Sequence, residues 1–85
     1  MHSEIVADIP MVLRSLAING YEPVHSEYSD SAFGNYFVEL NGPKGAIRIV
    51  RDRGQYFLES GTHVLSALSD RFKFGHQVIH WLESP

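Results

Sequence analysis

Between Ile5 and Ala17 the apolar residues Ile5, Val6, Ile9, Val12, Leu13, Leu16 and Ala17 return every three or four positions. That interval lines them up on one stripe of an amphipathic helix. Asn19-Gly20 ends it near Ile18. Two starts fit the chain: Ser3 capping a long helix kinked at Pro10, or Asp8 capping a shorter one with Pro10 in its first turn. Glu22 to Tyr28 then reads as a strand, with Pro23 marking either an edge strand or a strand beginning because it cannot donate to a ladder, and Ser29 to Asn35 reads as a loop.

The period changes in the middle of the chain. Tyr36–Asn41, Ala46–Arg51 and Gln55–Ser60 are rich in β-branched and aromatic residues, with Gly42-Pro43-Lys44-Gly45 and Asp52-Arg53-Gly54 between them. This predicts an antiparallel meander of three strands, or four with the Glu22 segment. A four-residue first loop pairs Leu40 with Ile47, Val38 with Ile49 and Tyr36 with Arg51. A three-residue second loop, with Gly54 in the left-handed position of a bulge, pairs Arg51 with Gln55 and Ile49 with Phe57. The expected core face is then Tyr36, Val38, Leu40, Ile47, Ile49 and Phe57, closed by Arg51. The opposite face would carry Phe37, Glu39, Arg48, Val50, Tyr56 and Leu58. A sheet face left to water does not normally hold four such apolar residues, so a cover is expected. Two candidates present themselves: the C-terminal region, or a partner.

That C-terminal region reads as one or two short helices. Val64, Leu65 and Leu68 follow a possible cap at Thr62, Val78, Ile79 and Leu82 come later, and Lys73-Phe74-Gly75 interrupts. The fold class expected is α+β: an N-terminal helix, a three- to four-stranded antiparallel meander and C-terminal helices in one domain spanning residues 1–85.

Composition narrows the function. A chain of 85 residues buries only about 60–65 % of its unfolded surface, which leaves little room for a deep pocket. There is no cysteine, so disulfides and thiolate chemistry are excluded and a reducing compartment is expected. No basic n-region precedes an apolar stretch near Met1, and no run approaches the ~20 apolar residues of a membrane span. The expected localisation is cytoplasmic, without membrane contact. Residues 1–43 carry a formal charge of −5 and residues 44–85 carry +2. An acidic half is a poor surface for nucleic acid and suits a basic protein partner, or is ordinary solvated charge with no partner implied.

The search for chemistry returns little. His76 and His80 are four apart, but Gln77 stands where a zinc protease motif needs Glu, and no third ligand is evident. Lys44 sits between glycines without phosphate-loop spacing. Ser26 adjoins His25, yet neighbouring strand residues point to opposite faces. No catalytic residue, cofactor or metal site is therefore assigned, and the chain is not read as an enzyme. Arg51-Asp52-Arg53-Gly54-Gln55 is the most polar constellation. Its arginines could grip an anionic partner. Alternatively Asp52 and Gly54 are turn chemistry, and Arg51 stacks on Tyr36.

The run Phe33-Gly34-Asn35-Tyr36-Phe37-Val38-Glu39-Leu40, followed by Ile47-Arg48-Ile49-Val50-Arg51-Asp52-Arg53-Gly54-Gln55-Tyr56-Phe57-Leu58, resembles a pattern in small bacterial proteins, some of which look like immunity proteins of toxin systems. The resemblance spans about residues 33–59 and implies a cytoplasmic inhibitor of a cognate toxin, with no catalytic residues. The expected partner-binding residues are Glu22, Glu27 and Asp30 from the acidic segment, Phe37 and Tyr56 from the outer face, and Arg53 from the hairpin tip. Two other classes remain open, a non-inhibitory assembly adaptor and a small ligand-binding domain.

Overall fold

The computed structural model describes every residue except Phe33 and Pro85. Phe33, the first residue of the immunity-like run and part of the expected loop, lies outside the described residues. The order is α1 (Ser3–Asp8), α2 (Pro10–Ile18), β1 (Glu22–Ser29), a 3-10 turn (Asp30–Ala32), β2 (Asn35–Gly42), β3 (Gly45–Asp52), β4 (Gln55–Ser60), β5 (His63–Leu68) and α3 (Arg71–Glu83). The five strands form one antiparallel sheet in sequential order. The fold is α+β, as the periodicity predicts.

The segment forms two helices, and neither expected cap is used: Ser3 is the first residue of α1 behind His2, Asp8 is its last, and Ile9 stands at the cap position of α2, with no side-chain cap at either start. Pro10 lacks an N–H and disfavours helical geometry in the residue before it. Ile9 therefore leaves the helical region (φ −129°, ψ 54°), and Pro10 opens α2. Ile9 still donates to Ile5 O and accepts from the Leu13 N–H, so the stripe continues across the break. Ile5, Ile9, Val12 and Leu16 are buried, whereas Val6 and Ala17 are exposed and the stripe is narrower than the sequence suggests. At the other end, Gly20 at φ 86° turns the chain so that the Tyr21 N–H reaches Leu16 O.

The β2–β3 register matches expectation, with Leu40 opposite Ile47, Val38 opposite Ile49 and Tyr36 opposite Arg51. The β3–β4 register does not. Asp52 pairs with Gln55, leaving a two-residue turn of Arg53 and Gly54, both at positive φ (52° and 79°). Two left-handed residues make the primed turn whose twist matches the flanking strands, and it displaces the expected bulge. The slip moves β4 by one residue and exchanges its faces. Ile49 now faces Leu58 rather than Phe57, and Tyr56 and Leu58 are buried in the core. Phe57 joins the outer face.

Val64, Leu65 and Leu68 lie on β5, not on a helix. Their spacing fits either element, but Gly61 (φ 60°) turns the chain and Ser60 pairs with His63, so the segment adds to the sheet. A register shift opposite Leu58 and Glu59 leaves Leu65 as an extra residue. The remaining C-terminal sequence is a single helix. Asp70 caps it by accepting from the Phe72 and Lys73 N–H groups at 2.9 and 3.0 Å, and Lys73-Phe74-Gly75 lies within its first turns.

One core joins the helices to the inner sheet face: Ile5, Ile9, Val12, Leu16, Phe74 and Val78 meet Val38, Leu40, Ile47, Ile49, Tyr56 and Leu58. Its far end is closed by Tyr21. The ring tilts against Trp81 at 5.8 Å, and its hydroxyl accepts from the Lys44 N–H at 3.0 Å. A Cβ on Gly42 would lie 2.2 Å from that ring, so only glycine fits there. Lys44 donates through Nζ to the carbonyls of Trp81 and Ser84, tying the β2–β3 hairpin to the C-terminus of α3.

The register predicts an ordering of stabilities. Leu58→Ala should cost about 2–5 kcal/mol, and Phe57→Ser, on the opposite face, no more than about 1 kcal/mol. Chemical denaturation of the two variants checks it, and a reversed order would return β4 to the slipped register.

Candidate functional site

Among the described residues, α1, α2 and α3 all pack on the inner face, so α3 does not cover the outer one. Following the pairs across the sheet, that open face carries Glu22, His25 and Glu27 of β1, Phe37 and Glu39 of β2, Arg48 and Val50 of β3, Phe57 and Glu59 of β4, and Val64 and Ala67 of β5. Phe37, Val50 and Phe57 are half-buried by their neighbours alone. Phe37 lies between His25, ring to ring at 5.4 Å, and Arg48, whose guanidinium is 5.6 Å from the ring centre. Arg48 also pairs with Glu59 at 3.1 Å. Glu27 and His25 are 3.0 Å apart. The face thus has an aromatic strip set among four glutamates and one arginine.

A concavity of about 350 Å³ opens at one end of this strip, lined in part by Glu27, Phe37, Arg48 and Val50 and reaching Arg51 and Asp52. Asn35 rigidifies that end: its amide donates to Asp52 Oδ1 at 3.1 Å and its Oδ1 accepts from the Arg53 N–H at 2.9 Å.

The structure brings together three of the expected partner-binding residues, Glu22, Glu27 and Phe37, on one face. Asp30 lies just past β1 in the 3-10 turn, exposed, and Arg53 is exposed at the β3–β4 tip. Tyr56 is a correction. It is 4 % exposed on the inner face, because the two-residue turn reverses β4, and Phe57 takes the place assigned to it. The expected outer residue Leu58 moves inward with it.

Tyr56 belongs instead to a polar cluster that the sequence reading missed. Asp8, the last residue of α1, accepts at Oδ2 from the hydroxyls of Tyr36 and Tyr56, each at 2.8 Å. Its Oδ1 accepts from Arg71 at 3.1 Å, and Arg51 lies 3.8 Å away. The Arg51 guanidinium stands 5.7 Å from the Tyr56 ring centre, and its Nε is buried with no hydrogen-bond partner among the described residues. The available signal was Asp8 itself, a carboxylate at the +3 position from Ile5 and −4 from Val12, within the apolar stripe.

Burial pushes the Asp8 carboxyl up, but the two tyrosine hydroxyls, the Arg51 charge and the Arg71 bond together hold it below its ordinary value. Burial, reinforced by the Asp8 anion, pushes Tyr56 up to about 12 and raises Tyr36 further. Near neutrality the carboxylate is held charged and both phenols protonated, so the cluster moves no proton there. It clamps the α1–α2 break and the start of α3 to the sheet. On α3, His76 and His80 are exposed, and among the described residues no three His, Cys, Asp or Glu side chains converge to hold a metal.

Asp8→Asn should destabilise the fold by about 2–4 kcal/mol, since it strands two guanidiniums near a neutral amide. The Asp8 contribution is fully present above its unfolded value near 3.8 and is lost as pH falls through the lowered folded value. The Tyr56 contribution runs the other way, present below 10 and lost as pH rises toward about 12. Melting temperature against pH should therefore lose part of its acid limb in Asp8→Asn and part of its alkaline limb in Tyr56→Phe. Unchanged limbs would remove the clamp from the account.

Comparison of the chain with protein-family models, with curated proteins and with solved structures finds no match in any of the three.

Proposed function

We propose that the protein is a non-catalytic binding domain that docks a basic protein partner on its open sheet face. The observation that carries this reading is the strip of Phe37, Val50 and Phe57 left uncovered by every helix and bordered by Glu22, Glu27, Glu39 and Glu59. Apolar residues set within charge of one sign are how a soluble domain presents a docking surface: the aromatics supply affinity, and the charges steer encounter and set specificity. Among the described residues Arg48 is the one cation on the strip, and it is held by Glu59 and Phe37, so the free charge of the face is negative.

Within that class, the immunity-like run of β2–β4 favours an inhibitor that neutralises a cognate toxin in the bacterial cytoplasm. The run forms the centre of the sheet and contributes Phe37, Val50 and Phe57 to the open face. A toxin that acts on nucleic acid needs a basic surface, and an acidic strip would occupy it.

The test is co-expression with a toxin domain encoded beside this gene, followed by binding kinetics with the purified pair. Wild type should restore growth. Glu27→Lys with Glu39→Lys should slow association by about tenfold at low salt, with a smaller effect at high salt and an unchanged melting temperature. Phe37→Ala or Phe57→Ala should act on dissociation. An association rate indifferent to the charge reversal would remove the open face as the docking surface, whereas normal binding without growth rescue would leave a binding module that is no inhibitor.

A further inference from the structure

The sheet has two free borders, and they are not alike. β1 closes its own: Pro23 offers no N–H, a register shift between Pro23 and His25 breaks its line, and the charged Glu22 and Glu27 stand along it. These are the devices by which a sheet edge resists addition of another strand. β5 has fewer. From His63 to Leu68 it has no proline and no Asp, Glu, Lys or Arg. Val64 and Leu65 are 55 % and 42 % exposed. Among the described residues, no hydrogen bond outside the sheet ladder involves the backbone of residues 63–68.

We infer that the β5 border is a self-association surface, where a second copy of this chain pairs antiparallel to extend the sheet from five strands to ten. Three features select a second copy over an unrelated strand. The first is charge: β5 carries no Asp, Glu, Lys or Arg, so two identical strands meet there in any register without like-charge contact, whereas β1 carries Glu22 and Glu27. The second is phase. Val64 lies opposite Glu59 and Ala67 opposite Phe57, so the extra residue at Leu65 places Val64 and Ala67 on the same open face although they are three apart. A two-fold axis between Leu65 and Ser66 then sets Val64 against the partner's Ala67, and His63 against the partner's Leu68, with the faces in register. The third is closure. Because β1 is blocked, addition at β5 stops at two copies and cannot run on into a fibre.

The consequence is a continuous sheet with all helices on one side and two acidic, aromatic faces side by side on the other. Six residues of edge pairing bury less than the ~1,200 Å² of stable interfaces, so the dimer is concentration-dependent. This inference does not rest on the proposed toxin reading and holds for any function of the open face.

Sedimentation velocity over a range of concentrations tests it. Wild type should pass from monomer to dimer between low and high micromolar concentration. Val64→Lys with Ala67→Lys, both exposed positions, should raise the dimer dissociation constant by about tenfold or more while the monomer keeps its melting temperature. The chain has no cysteine, which permits an independent measurement. A single Ala67→Cys should give a crosslinked dimer with a short bifunctional thiol reagent, and a single Val24→Cys on the β1 border should not. The crosslink decides the matter if the lysine variant proves unstable. Wild type that stays monomeric at high micromolar concentration, a lysine variant that dimerises as wild type does, or equal crosslinking at the two borders overturns the inference.

Discussion

The two-residue turn at Arg53 and Gly54 is the constraint on which the rest depends. A strand places alternate side chains on opposite faces, so the length of the turn that begins it decides which set enters the core. With both turn residues at positive φ, β4 starts at Gln55, and Tyr56 and Leu58 go inward while Phe57 goes out. The same phase passes through the β4–β5 ladder and sets Leu68 inward and Ala67 outward. A three-residue turn would remove Tyr56 from Asp8, turn Phe57 into the core and leave β5 with the wrong face toward α3. The clamp, the open strip and the β5 border all follow from one short hairpin.

The helices are held to that sheet at both ends of the core. At one end, Asp8 gathers Tyr36, Tyr56, Arg51 and Arg71 from β2, β4, β3 and α3 around one carboxylate. At the other, Lys44 holds the C-terminal carbonyls of α3 while Tyr21 fits over Gly42. A domain of this size has a thin core, and the two polar clamps sit where the apolar packing runs out. They also explain why the open face needs no cover. The fold is fastened entirely from the helix side, which leaves Phe37, Val50 and Phe57 free of structural duty.

Legibility in the sequence followed the strength of the local signal. The β2–β3 pairing could be read because strand phase and loop length agreed on one register, and Pro10 and Gly20 marked their breaks. Where two short patterns competed, the reading failed. Asp52-Arg53-Gly54 fits a bulged three-residue loop as well as a primed two-residue turn, since arginine at positive φ leaves no mark in sequence. Val64, Leu65 and Leu68 fit a helix as well as a bulged strand, and only pairing with β4 decides. Of the expected docking residues, Glu22, Glu27 and Phe37 share the open face because they precede the ambiguous turn, whereas Tyr56 follows it and was assigned to the wrong side. Asp8 stands out as a carboxylate in the apolar stripe, but nothing local marks its partners, which lie as many as 63 positions away.

Docking on the open face, as proposed, requires that the Phe37, Val50 and Phe57 strip be bare in the free protein and covered in the complex. Nuclear magnetic resonance with a soluble paramagnetic agent addresses it directly, through the side-chain signals of the protein alone and with its partner bound. Strong relaxation is expected at Phe37, Val50 and Phe57 in the free protein, none at Tyr56 or Leu58, and protection of the three outer residues on binding. Relaxation at Tyr56 and Leu58 in place of Phe57, or protection confined to the helices while the strip stays accessible, would contradict it.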